Sequence, residues 1–139
     1  MSRAQGAPYQ ALFESLAPLR ERWPGGGWSW DTRFSCVSSS FNAELAHEAR
    51  SAVHAAFTQE WTARSLAKAP SLVREVADNT GGVRPDQVLY CSDTVGGTLL
   101  FGLWWPWGDD VTISFRVGLA GFAAAREEFQ LRDTFNALD

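Results

Sequence analysis

Apolar positions near the start of the chain recur at helical spacing. Tyr9, Leu12, Phe13, Leu16, Leu19 and Trp23 fall on one face, predicting an amphipathic helix over residues 8–23. Pro8 suits a first helical turn, whereas Pro18 lies inside the pattern and should kink the helix or divide it. Pro24-Gly25-Gly26-Gly27 ends it. Over 28–38 the period changes to two: Trp28, Trp30, Thr32, Phe34 and Cys36 alternate with Ser29, Asp31, Arg33 and Ser35, which predicts one strand closing at Ser38-Ser39-Ser40.

Helical spacing returns with Leu45, Ala49, Ala52, Val53, Ala56 and Phe57, behind Asn42 as an N-cap and Glu44 in the first turn. This helix is expected to reach about residue 66, although Thr58, Trp61 and Thr62 would also suit a strand. A further helix is expected over 71–80, opened by Pro70 and stopped by Gly81-Gly82. Three strands should follow at 87–93, 98–105 and 111–117, with Gly118 and Gly121 marking the turn into a closing helix. In that helix Phe122, Ala125 and Phe129 share one face, while Ala124, Leu131, Phe135 and Leu138 share the opposite one. The pattern therefore predicts an α+β fold: an antiparallel sheet of about four strands, helices packed on one face, order α-β-α-α-β-β-β-α.

The 139 residues suit a single domain over 1–139. No apolar run is long enough for a transmembrane helix and no secretory signal is visible at the start, so the expected location is cytoplasmic. A net charge of −4 argues against nucleic acid as partner, because that affinity rests on neutralising phosphates. Arg outnumbers Lys eleven to one (only Lys68), and with abundant Ala this is the compositional habit of GC-rich bacterial genomes. Cys36 and Cys91 lack CxxC spacing and are expected as buried, reduced thiols within strands.

Candidate chemistry is sparse. His47 and His54 share a helix face but lack the i, i+4 spacing of a zinc pair, and Arg50 stands between them, so no metal is expected. Gly25–Gly27 and Gly96-Gly97 lack the Lys and Ser/Thr of a phosphate loop. Glu127 and Glu128 diverge on a helix surface. No catalytic residue and no cofactor is predicted.

The segment that draws attention is Trp104-Trp105-Pro106-Trp107-Gly108-Asp109-Asp110. Strand alternation sends Trp104 and Trp105 to opposite faces, one filling the core while the other stays partly exposed, and Trp107 falls at a turn. From Glu75 to Asp110 six acids, Asp86 and Asp93 among them, face a single base, Arg84. Such a field can steer a basic protein onto an aromatic anchor. The expected role is a non-catalytic protein-binding module, of the kind of small cytoplasmic bacterial inhibitors and immunity proteins that neutralise a toxin; the analogy is one of type and carries no motif. The alternative is a small-molecule-binding or enzymatic domain with Trp28, Trp30 and Trp105 lining a pocket. A third expectation, compatible with either, is a homodimer through Leu131, Phe135 and Leu138.

Overall fold

Six antiparallel strands, in the order β1-β2-β6-β5-β4-β3, form the sheet of the computed structural model, which describes residues 9–137. The helical start divides as Pro18 dictates: α1 covers residues 9–14 and α2 covers Ala17–Arg22, with Pro18 in the first turn of α2. Leu12, Phe13, Leu16 and Leu19 stay buried across the break.

The alternation over 28–38 is two strands, β1 (Ser29–Asp31) and β2 (Cys36–Asn42). Asp31 Oδ1 accepts from the Arg33 amide at 2.9 Å and Ser35 adopts φ +51°, so the chain reverses within the apparent strand. Ser38-Ser39-Ser40 accordingly lies in the middle of β2, not at a strand end. Ser39 is buried because its hydroxyl is satisfied: it accepts from Trp23 Nε1 at 3.0 Å and donates to the Gly26 carbonyl at 3.3 Å.

Asn42 does cap, accepting from the Glu44 amide at 2.8 Å and opening a 3-10 turn ahead of α3 (Ala46–Ala56). The helix stops there. Phe57 is extended and β3 (Gln59–Trp61) follows, pairing Glu60 with Tyr90. Helix α4 (Ser71–Asn79) ends with Thr80 Oγ1 donating to the Val76 carbonyl at 2.8 Å. The meander β4 (Val88–Cys91), β5 (Thr98–Pro106) and β6 (Thr112–Gly121) agrees with the alternation, except that Gly118 is inside β6 and only Gly121, at φ +105°, ends it. The closing helix α5 is short, Glu128–Thr134.

The sheet thus has six strands where about four were expected, and the order is α-α-β-β-α-β-α-β-β-β-α. Helices also cover both faces. On the first face α1, α2, α3 and α5 pack over Val37, Phe41, Tyr90, Leu100, Trp104, Ile113, Phe115 and Val117. On the second, Val73, Val76 and Ala77 of α4 pack over Leu89, Cys91, Leu99, Phe101 and Leu103. Two glycines make the layers fit. A Cβ at Gly102 would strike the Phe115 ring, and one at Gly118 would strike Phe101, each ring lying across the neighbouring strand on its own face.

In the closing segment Leu131 of α5 and Phe135 just after it are buried, while Phe122 and Phe129 are exposed. The side chains expected to pair two copies therefore pack inside the protein. Leu138, the third of that set, lies outside the described residues.

Candidate functional site

Strand β5 separates its tryptophans by alternation. Trp104 goes to the first face, 1% exposed, between Phe41 and Phe115. That makes it a core residue, unable to touch a partner. Trp105 goes to the second face and is half-buried; Trp107, beyond the strand, is 50% exposed at the β5–β6 turn. Asp109 builds that turn. Its Oδ1 accepts from the amides of Val111 at 3.0 Å and Thr112 at 2.9 Å, and its Oδ2 from Thr112 Oγ1 at 2.8 Å. Those donors favour the charged form and hold the carboxyl below its ordinary range. Asp110, with φ +59°, completes the reversal and is exposed, as is Val111 beside it.

Sheet register decides which acids share this end. Val88 pairs with Trp104, so Asp86, just ahead of β4, lies toward the Pro106 end of β5. Asp93 follows Cys91, which pairs with Phe101, and so sits toward the opposite end, accepting from Thr58 Oγ1 at 3.0 Å. The predicted set is therefore divided: Trp107, Asp109, Asp110 and Asp86 share one end, and Asp93 does not belong to it. A residue not foreseen joins them. The Ala43 amide donates to the Val111 carbonyl at 2.6 Å, which brings exposed Glu44 to the same end.

From Trp105 the second face continues as a surface that sequence reading missed. Helix α4 buries its side chains over β4 and β5, and toward β1, β2 and β6 the face turns polar: Ser29, Asp31, Ser38, Ser40 and Arg116, with Ser114 itself fully buried. Arg116 is fixed on three sides. It donates from Nε to Asp31 Oδ2 at 3.3 Å and from Nη1 to Ser114 Oγ at 2.6 Å, and its guanidinium lies 4.6 Å from the Trp105 ring centre. Phe34 meets Trp105 edge-on at 5.5 Å, and the Arg33 guanidinium covers Phe34 at 4.4 Å. With the Arg33 amide on Asp31, the five residues close a ring of contacts. The ring is legible only after β1 and β6 are brought together, since Asp31 and Arg116 are 85 positions apart.

The remaining candidates are placed as follows. Cys36 and Cys91 are fully buried free thiols, each pushed up to about 12, by burial first in both cases. Both histidines are exposed on α3, and His54 Nε2 lies 3.2 Å from Glu60 Oε1. Among the described residues no group of three or more His, Cys, Asp or Glu is arranged to hold a metal ion, and no helix is long and apolar enough to cross a membrane. Two grooves, of about 580 and 490 Å³, lie between α1–α2 and α5 and between α4 and the β1–β2 turn; neither has a Trp in its lining. Trp28 packs on Trp23 and Phe135, and Trp30 lies under Arg132, so these two contribute to packing and not to a Trp-lined cavity.

No protein-family model matches the chain, and neither a curated protein nor a solved structure matches it.

Proposed function

We propose that the protein is a non-catalytic binding module that holds a basic protein partner on the β5–β6 turn and the adjoining polar face of the sheet, as a small cytoplasmic bacterial inhibitor of the immunity type would. The observation that carries this reading is the exposure of two large apolar side chains, Trp107 at 50% and Val111 at 52%, on a turn whose shape Asp109 fixes. An aromatic anchor on a pre-shaped support loses little freedom when a partner covers it. Glu44, Asp86 and Asp110 at the same end supply the field that favours a basic partner. The adjoining ring through Trp105 and Arg116 adds a second rigid area.

The test is co-purification from the native host with wild type and a Trp107→Ala/Asp110→Lys variant, which leaves the Asp109 carboxylate in place. A stoichiometric basic protein bound to wild type and lost with the variant is the expected result. Retention by the variant would remove this surface from the reading, and absence of any protein in both samples would overturn the binding-module assignment.

A further inference from the structure

The groove between α4 and the β1–β2 turn, about 490 Å³, falls within the size of pre-formed ligand sites, roughly 300–1,000 Å³. Its floor has a local cause. The Phe101 ring lies across Gly118, where a Cβ would strike it, and with Leu72 and Val76 it gives the groove an apolar lining. One wall is α4, where Leu72, Glu75, Val76 and Asn79 stand at i, i+3, i+4 and i+7 and so share a helix face. The facing wall is the β1–β2 turn with Arg33 and Phe34. That wall is fixed: the Arg33 amide donates to Asp31 Oδ1 at 2.9 Å, and its guanidinium lies 4.4 Å from the Phe34 ring centre. Phe34 in turn meets Trp105 edge-on. The groove thus carries a guanidinium on one side and a carboxylate on the other. Among the described residues the ion pairs are Arg116–Asp31 and His54–Glu60, so Arg33 and Glu75 pair neither with each other nor with another charge. Unpaired opposite charges on facing walls, above an apolar floor, complement a small molecule that has an ammonium and a carboxylate on an apolar body.

We propose that this groove binds a free amino acid with an apolar side chain. Its carboxylate accepts from the Arg33 guanidinium, its ammonium donates to Glu75 and to the Asn79 amide oxygen, and its side chain covers Phe101 and Val76. Neither charge has a protein partner to give up, so both charge-assisted bonds form without breaking an ion pair. The hold of Phe34 on Arg33 lowers the cost of ordering that wall. An uncharged ligand would dry both groups without pairing them, and a lone cation or anion would meet like charge on one wall. The groove shares no lining residue with the β5–β6 turn, so failure of either reading leaves the other standing.

The test follows the backbone amide NMR signals of Glu75, Asn79, Ala120 and Gly121 during titration with leucine at constant ionic strength. Saturable shifts confined to the groove are expected. Leucinamide, which lacks the carboxylate, and N-acetyl-leucine, which lacks the ammonium, should each bind about fivefold or more weakly than leucine. The variants assign the ends. Arg33→Gln should weaken leucine by a similar factor and abolish its advantage over leucinamide, while Glu75→Gln should abolish its advantage over N-acetyl-leucine. Both side chains are exposed, and the same spectra report whether the fold is retained. Absence of saturable shifts with leucine, or analogues that bind wild type as tightly as leucine does, would overturn the site. Discrimination that survives both substitutions would overturn the roles given to Arg33 and Glu75.

Discussion

Arg116 lies over Trp105, guanidinium to ring centre 4.6 Å, with Asp31 holding its Nε from a strand at the other end of the sequence. The ion pair is mostly shielded, with side-chain exposures of 14% and 20%. Arg116→Ala should therefore cost about 1–3 kcal/mol, through the lost stack and an under-compensated Asp31. Arg116→Lys should recover only part of this, because an ammonium cannot stack and bridge together. Urea unfolding of the single variants and of the Asp31→Asn/Arg116→Ala double variant measures the coupling, and a coupling near zero would count against the ring as a rigid unit.

The tryptophans of one strand and its turn should separate cleanly. Trp104→Ala removes a core side chain beside Phe115 and should destabilise by about 3–5 kcal/mol. Trp107→Ala should stay within about 1 kcal/mol of wild type, since half of that side chain is already in water. Fluorescence quenching by iodide should fall with Trp107→Ala while unfolding barely moves. A large loss of stability would mean that Trp107 serves the fold.

Much of this was readable as pattern. The meander and α4 obey spacing, and the alternation at Trp104-Trp105 already assigns opposite faces. What escaped has physical causes. The Asx turn at Asp31 keeps polar and apolar residues in step while reversing the chain, so two strands look like one. A three-residue strand such as Gln59–Trp61 is shorter than any periodicity can register. The second helical layer is implied by β5, whose Leu99–Trp104 segment offers side chains large enough to need cover on both faces, whereas β6 alternates. The ring around Arg116 joins residues far apart in sequence, which spacing cannot reveal.

Acid should loosen the β5–β6 turn first at Asp109. Its carboxyl is held below the ordinary 3.8 by the Val111 and Thr112 amides. A group with a depressed folded pKa contributes stability above its unfolded value, and the contribution is lost as pH falls through the folded one. Protection of the Val111 and Thr112 amides, taken relative to their intrinsic exchange rates, should thus fall below about pH 4, and Asp109→Ala should remove that dependence.

Alkali acts through the cysteines. Burial pushes both thiols from 9.0 to about 12, so the unfolded chain ionises first and stability should fall as pH rises above 9. At neutral pH both thiols should resist a thiol reagent until the protein is unfolded in urea, with two equivalents then reacting. Rapid modification of the native protein would contradict their burial.

The order β1-β2-β6-β5-β4-β3 also sets a sequence of events for a chain emerging from the ribosome. Helices α1, α2 and α3 and strands β1 and β2 are synthesised early, yet β2 finds its long partner only in residues 112–121, with Val37 facing Val117. Meanwhile the meander from β4 onward can zip through neighbouring strands. Nascent chains cut short of β6 should expose Val37 and Phe41 and seek chaperones, and the joining of the two parts should govern the folding rate.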